Sequence, residues 1–354
     1  MLAMVMIAVL LDRPALSMRS LALAAAILLL ARPQDIAEPG FQMSFAAVVA
    51  LIAVAEWVAT RERIKPRGVL YRWVHGVVMT SLVGSLATLP FALFHFGRAT
   101  HNAMLGNLLA MPVMGLWVMP AAALSVVAMP LGLESGPLHL LGQGIAVMVG
   151  SGKWVAGLPG AVTLAPAMPM AALLLITMGG LWLVIWRRGW RWWGLAPVVL
   201  GVVVAWTARP PDMLVASDAR TIAIRGADGL LHFVKKPPDK YVARDWLKRD
   251  GDGRDIGSAV DVPAMRCDGL GCVLPGKVLI AVSLRPEALA EDCARAQVLV
   301  SAVQAPNCKG PAIVIDQKAA AEGEGWRITL SPAPAADSVR AYRGDRPWVV
   351  NNAE

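Results

Sequence analysis

The sequence predicts a mainly α-helical, polytopic membrane domain followed by a smaller soluble α/β domain. Of the 354 residues, 56% are hydrophobic and only 16% are charged, which is too apolar for an ordinary soluble domain. The apolar residues are also unevenly spread. Residues 1–207 consist of long Leu, Ala, Val, Met and Trp runs, whereas residues 208–354 have a soluble composition. We therefore expect a transmembrane domain over 1–207 and a separate tail over 208–354.

Several segments of the first domain are long enough to cross the hydrocarbon core as helices, which takes about 20 apolar residues. Residues 1–11 resemble the end of a further span and lack a signal-peptide pattern, so we expect that upstream residues are missing. Segment 137–158 is a weaker candidate because glycines and Lys153 dilute its apolar character. The clearer candidates are 15–31, 39–58, 73–96, 102–131, 161–186 and 190–207.

The distribution of charge predicts the orientation of the chain. The formal net charge is +8, and the region before residue 208 has 13 basic and 6 acidic residues. Basic residues in short loops of membrane proteins face the cytoplasm, so this charge does not itself indicate a nucleic-acid ligand. We expect loops 61–72 and 187–191 to be cytoplasmic and 208–354 to lie outside. This topology requires 137–158 to cross as well, or to re-enter from the inner side.

Four tryptophans accompany the second basic loop: Trp186, Trp190, Trp192 and Trp193. Amphipathic rings favour the level of the lipid headgroups. An anchoring belt is therefore preferred to a platform on which nucleic-acid bases stack.

Prolines and polar side chains interrupt the apolar runs. Backbone groups freed by proline must find partners in neighbouring helices or line a watery cavity, so proline alone leaves a kinked bundle and a broken-helix pathway equally open. Polar side chains at membrane depth usually face the protein interior or water, and Gln42, Ser44 and Asn107 are the better pore candidates. The side chains near the predicted ends of spans, which can reach the interface, are Glu56, His75, His95 and Arg98.

Three motifs in order resemble the ComEC competence-channel family. Residues 39–45 read PGFQMSF and resemble the family's PGFQLSF signature, with Met43 where Leu is usual. Residues 88–90 (TLP), 95–98 (HFGR) and 107–112 (NLLAMP) are similar to a later stretch of its pattern. The resemblance covers about 1–207. It implies a channel for single-stranded DNA across the bacterial inner membrane during natural transformation. From polarity and motif position, we expect Gln42, Ser44, Arg98 and Asn107 to lie along its path.

Two departures from the family pattern concern the ends of the chain. The family usually has an OB-like domain before the helices, and none precedes them here, which agrees with missing upstream residues. Many relatives carry a metallo-β-lactamase-like tail whose H-x-H-x-D-H ligands bind two metals for phosphodiester cleavage. This tail has one histidine, His232. We therefore expect a degenerate metallo-β-lactamase-like domain with no metal, no cofactor and no catalytic residue.

Apolar runs that alternate with helical stretches predict an α/β fold for the tail. The Asp-Gly pair within 226–229 predicts a tight hairpin between the second and third strands. Helices are predicted near 239–249 and 286–296. The predicted strands are 213–216, 221–225, 230–234, 278–283, 298–303 and 312–316.

All four cysteines lie in the tail, and a location outside the cytoplasm favours disulfides over zinc. We expect the pairs Cys267–Cys272 and Cys293–Cys308, since each brackets a short turn-like segment. Residues 250–255 (DGDGRD) hint at a calcium loop, but its ligand and glycine positions are wrong, and a solvated turn is preferred. Residues 150–154 lack the residues of a phosphate loop.

The leading hypothesis is a passive DNA channel that other proteins energise, because the chain has no nucleotide-binding motif. Its partners would be single-stranded DNA, the lipid bilayer and other DNA-uptake proteins, including a cytoplasmic motor. The alternative is a secondary transporter of a small solute, which would show repeated halves; no convincing repeat is seen. A membrane-tethered nuclease is disfavoured by the missing metal ligands.

Overall fold

The computed structural model describes residues 17–61 and 68–344 of the chain. The chain divides into two compact units between Ala208 and Arg209. Helices dominate the described part of the first unit, and two five-stranded sheets form the second.

Long apolar helices build the first unit. Among the described residues, three of them are long and apolar enough to cross a membrane, namely α2, α3 and α4, while α1 and α6 are shorter apolar helices. The expected helical membrane domain is confirmed to that extent. The bounds are α1 Met18–Ala31, α2 Pro39–Arg61, α3 Val69–Phe96, α4 Ala103–Leu131, α5 Ser135–Ala156, α6 Met170–Ile185 and α7 Leu195–Thr207.

Two helices begin later than the predicted spans. Segment 161–186 is not one helix, because Pro166 and Pro169 exclude the helical conformation before α6 begins. A short strand, β2 (Val162–Leu164), precedes them. Segment 190–207 likewise starts with a 3₁₀ turn, Gly189–Gly194, before α7. The weaker candidate 137–158 is helical as α5. Residues 1–16 and most of the first basic loop, 62–67, lie outside the described residues.

The core of the first unit forms where four helices meet. Phe91 of α3 and Ala172 and Leu173 of α6 are buried together, with Met43 of α2 and Val204 of α7 packed against them. The 39–45 motif thus begins α2 and also supplies Met43 to this core.

Helices α6 and α7 approach each other closely because glycines line their contact. A Cβ atom on Gly201 of α7 would lie 2.7 Å from Ile176 Cγ1 and 2.9 Å from the Ala172 carbonyl oxygen. Any larger residue would separate the two helices. Small residues at such crossings are common between membrane helices, since van der Waals contact replaces the hydrophobic effect there.

Each sheet of the second unit has its own strand order. One sheet is antiparallel throughout and has the order β12-β11-β3-β4-β5. The other has the order β10-β9-β8-β7-β6, with parallel pairs between β8, β9 and β10. The bounds are β3 Met213–Val215, β4 Ile222–Arg225, β5 Leu231–Phe233, β6 Arg266–Cys267, β7 Gly271–Leu274, β8 Ile280–Ser283, β9 Val298–Ser301, β10 Ile313–Ile315, β11 Trp326–Thr329 and β12 Ala335–Ser338.

The two sheets pack face to face. Met213 and Ile224 of the antiparallel sheet share a buried core with Val282 and Val300 of the mixed sheet. This is a sandwich whose inner faces carry alternate residues of each strand.

Helices cover the outer faces of both sheets. Phe233 on the outer face of the antiparallel sheet packs with Leu247 of α8 (Lys240–Arg249). Leu299 on the outer face of the mixed sheet packs with Leu289 of α9 (Leu289–Arg295). The layers therefore run helix, sheet, sheet, helix. Two further helices are α10 (Gln317–Gly323) and α11 (Val339–Arg343).

Candidate functional site

Gln42 joins the start of α2 to the end of α3. Its Nε2 donates a hydrogen bond to the Ile36 carbonyl oxygen at 2.8 Å, and its Oε1 lies 2.8 Å from His95 Nε2. Because an amide oxygen only accepts, His95 carries the hydrogen on Nε2 in this pair. Ser44, two residues further along α2, is exposed. Two motif segments that are more than 50 residues apart in sequence thus meet at one end of the helices.

Asn107 makes a second contact between helices. Its Nδ2 donates to Ser81 Oγ at 3.1 Å, and Ser81 is buried near the middle of α3. At about 1.5 Å per residue, Ser81 lies about 18 Å from Val69 and about 22 Å from Phe96. By the same rise α3 is about 42 Å long, so it exceeds a hydrocarbon core of about 30 Å by only about 12 Å. Wherever α3 crosses along the membrane normal, Ser81 therefore lies inside the core.

The connection between α3 and α4 runs back along α3 toward the level of Ser81. Asn107 is about 6 Å of helix from Ala103, the first residue of α4. Residues 97–102 therefore lead the chain from the end of α3 back to a level near Ser81. Because the first turn of α4 covers about 6 Å of the roughly 22 Å between Phe96 and Ser81, the connection itself covers about 16 Å, which is within the roughly 20 Å that six residues can reach.

A strand pair forms in that connection. Strand β1 (Arg98–Thr100) pairs antiparallel with β2, with Ala99 opposite Thr163. The His101 amide donates to the Ala161 carbonyl oxygen at 3.0 Å, and His101 Nε2 lies 2.8 Å from Thr163 Oγ1. Residues 97–102 and 161–165 together form this strand pair.

The strand pair presents polar groups to its surroundings. Arg98, Thr100, His101 and Thr163 are all exposed. Within the part of the chain that the structure describes, Arg98 forms no ion pair. A cation on an extended segment is an unusual group to leave unpaired in a unit of this composition.

The structure distributes the four expected path residues over these contacts. Gln42 and Asn107 each tie two helices together, while Ser44 and Arg98 are exposed. No hydrogen bond or ion pair joins any two of the four across the described residues. Sequence reasoning missed the partner Ser81, whose hydroxyl shows no distinguishing pattern. It also missed Thr163, which lay inside a segment predicted as a helix.

The four cysteines of the tail are paired with one another, and its histidine is paired with an aspartate. Disulfides join Cys267 to Cys272 and Cys293 to Cys308, the pairs expected from the sequence. His232 is buried in β5, and its Nε2 lies 2.8 Å from Asp228 Oδ2. This hydrogen bond, followed by one from the Leu230 amide, holds the pKa of Asp228 below its usual range.

The 250–255 loop is not a solvated turn, contrary to the prediction. The Asp250 carboxylate accepts hydrogen bonds from both terminal nitrogens of Arg225, at 3.0 and 2.5 Å, and both side chains are nearly buried. Asp252 is buried beside Arg254, whose Nε donates to it at 2.8 Å. Burial alone would raise the pKa of Asp252, but the Arg254 hydrogen bonds outweigh it and the net pKa is lowered.

Metal-ligating side chains do not converge in the tail. Over residues 17–61 and 68–344, no three His, Cys, Asp or Glu side chains lie close enough together to hold a metal ion. The thiols are engaged in disulfides and His232 is engaged with Asp228.

The first part of the chain matches a known protein family. The model of a family described as "Competence protein" matches residues 1–190, which is more than half of the chain. Neither a curated protein nor a solved structure matches.

Proposed function

This chain belongs to the competence protein family, and from that premise we propose that its first unit is an inner-membrane channel for single-stranded DNA in natural transformation. Membership in the family indicates a role in DNA uptake. The observation that supports a channel is the strand pair, an exposed and polar element that runs back along α3 toward its buried middle.

The strand pair favours a watery path on physical grounds. Non-helical backbone at membrane depth is tolerated only where it is buried in protein or lines a water-filled cavity. Because Arg98, Thr100 and His101 are exposed, burial in protein does not account for them. Water along this segment would satisfy their polar groups and hydrate a passing strand.

Arg98 gives the path a preference for phosphate. A cation attracts the DNA backbone regardless of base sequence, which suits a channel that must carry any sequence. In this proposal Ser44 adds a second exposed polar group. Gln42 and Asn107 hold the surrounding helices in place through their interhelical hydrogen bonds.

The orientation follows from the basic loops. We place 61–72 and 187–191 on the cytoplasmic side by the positive-inside rule, and the tail outside, where its disulfides are stable. Other uptake proteins, including a cytoplasmic motor, would then supply the energy from the inner side.

Labelling of introduced cysteines tests the path. The four native cysteines are joined in disulfides, so an introduced cysteine is the one free thiol. We expect Arg98→Cys and Thr100→Cys to react with a membrane-impermeant maleimide added to cells, because both positions contact water. Leu86→Cys is the matched control: it is exposed on α3 but lies about 15 Å from Phe96 along the helix, so it faces lipid and stays unlabelled.

DNA uptake gives the second readout. Arg98→Glu should lower uptake of labelled DNA by about tenfold or more, since facing like charges cost several kcal/mol, whereas Arg98→Lys should retain most of it. Labelling of Leu86→Cys as fast as Arg98→Cys would refute the assignment of the path. So would normal uptake by Arg98→Glu.

For the tail we propose a non-catalytic relative of the metallo-β-lactamase-like domain. The layer order of helix, sheet, sheet and helix supports this at the level of fold. Two-metal hydrolysis needs several His and carboxylate ligands that hold two ions about 3.5–4 Å apart. Here His232 is bound to Asp228, Asp250 to Arg225 and Asp252 to Arg254.

A nuclease assay tests that proposal. The purified full chain is expected to leave single-stranded DNA intact with Mn²⁺ or Zn²⁺ added, because no three metal-ligating side chains of the described residues lie close enough together to hold an ion. His232→Ala serves as the control for contaminating nuclease. Metal-dependent cleavage that disappears in His232→Ala would show that the tail is an enzyme.

A further inference from the structure

A cleft opens at the turn between α6 and α7. Its volume is about 580 Å³, and its lining consists of Ile185, Trp186, Arg187, Arg188 and Trp190. The Trp186 and Trp190 rings touch, with centroids 4.3 Å apart. Trp182 closes the cluster behind them, since its Nε1 donates to the Trp190 carbonyl oxygen at 3.3 Å. The cleft therefore has aromatic and aliphatic walls and two guanidinium groups.

One of the two guanidinium groups is left to bind an anion. Arg187 Nη2 lies 2.7 Å from Glu56 Oε2 of α2, which neutralises it. Arg188 is exposed and forms no ion pair within the described residues. Arg191, just beyond the lining, has a buried Nε with no hydrogen-bond partner there. Its guanidinium carbon lies 5.7 Å from the centre of the Trp192 ring. The turn thus carries more positive charge than its neighbours balance.

We propose that this cleft binds the phosphate headgroup of an anionic phospholipid. Arg188 would pair with the phosphate, for which a planar guanidinium is well suited. Trp186 and Trp190 would contact the glycerol region, and Ile185 the start of an acyl chain. Basic pockets between membrane helices are known to take such headgroups.

The geometry favours lipid over a nucleic-acid base. The cleft begins where the apolar helix α6 ends, the level at which tryptophan sits in the headgroup region. The touching rings of Trp186 and Trp190 leave no gap into which a base could slide. Trp192 and Trp193 are 63% and 76% exposed on the same turn, as expected for side chains in an interface.

Native mass spectrometry of the full chain in mild detergent tests the site, with phosphatidylglycerol and phosphatidylcholine as matched lipids. We expect bound phosphatidylglycerol and little phosphatidylcholine. Arg188→Gln should lower phosphatidylglycerol occupancy about tenfold, the loss of one charge-assisted contact of roughly 1.4 kcal/mol. Arg188→Lys, which keeps the charge, should retain part of it. This measurement does not involve DNA uptake, so its outcome is independent of whether the proposed channel is correct.

The matched control is Arg72→Gln, an exposed arginine on α3 that does not line the cleft. It should leave occupancy unchanged, and an equal loss in both variants would show diffuse attraction and overturn the site. Inorganic phosphate at millimolar concentration should not displace the lipid, because the apolar wall contributes to binding. Displacement by phosphate would show a free-anion site instead. Displacement by oligothymidine would assign the cleft to DNA, and either result would overturn the proposal.

Discussion

Gly179→Leu is expected to prevent the protein from accumulating in the membrane. A Cβ atom at this position would lie 2.6 Å from the Gly194 carbonyl oxygen and 2.9 Å from the Val198 amide nitrogen. Both are backbone atoms, so no side-chain rotation relieves the clash, and α6 must move away from α7. Overpacking a tight core by a few carbons costs about 1–3 kcal/mol, and more where backbone must move. The separation would also take Ala172 and Leu173 out of the core shared with α2 and α3.

The adjacent glycine supplies the control. A Cβ atom on Gly180 meets nothing within 4 Å, so Gly180→Leu adds the same apolar side chain to the same helix without a clash. Immunoblots of the membrane fraction and limited proteolysis should show normal amounts of Gly180→Leu and a severe loss of Gly179→Leu. Equal, wild-type amounts of both variants would mean that α6 and α7 do not pack as described.

Removing the Cys293–Cys308 disulfide should destabilise the tail more than removing Cys267–Cys272. The first closes a loop of 15 residues and the second one of 5. Loop-closure entropy then gives about 3 and about 2 kcal/mol. Cys293 and Cys308 also pack against the buried Leu299, so the longer bridge holds α9 to the mixed sheet.

Alanine pairs are the variants to compare, since alanine leaves no buried hydroxyl. Hydrogen exchange of the full chain, read by mass spectrometry, should show faster exchange in β8 and β9 for Cys293→Ala/Cys308→Ala than for Cys267→Ala/Cys272→Ala. Reductant added to the wild-type protein should reproduce the faster rate. Equal exchange rates in the two variants would show that the ranking is wrong. Alkylation of all four thiols in untreated protein would show that the disulfides do not form.

Local signals made much of the architecture predictable. Long apolar runs revealed α2, α3 and α4, and each of the six strands predicted in the tail contains an observed strand. Strand β11 was missed although it had a signal, since Ile328 is buried between exposed Arg327 and Thr329. The β2 segment was predicted as part of a helix because its apolar count outweighed Pro166 and Pro169.

Contacts between distant residues were the part that the sequence could not supply. Hydrophobicity predicts that Asn107 lies near the membrane. It does not predict that Ser81 lies opposite Asn107, because helix packing sets the depth at which two helices meet. For the same reason Asp250 seemed solvated. Its partner Arg225 lies 25 residues earlier, at the end of β4 in the antiparallel sheet.

The strand pair also sets an order of events during synthesis. His101 and Thr163 are 62 residues apart, and ribosomes add about 5–20 residues per second, so His101 waits roughly 3–12 s for its partner. In hydrocarbon each unpaired backbone group would cost several kcal/mol over that interval. In the channel that we propose, we therefore expect residues 97–102 to stay in the translocon or at the membrane surface until β2 emerges. The strand pair would then enter the membrane only after both of its segments are made, so an incomplete chain would not form an open water path.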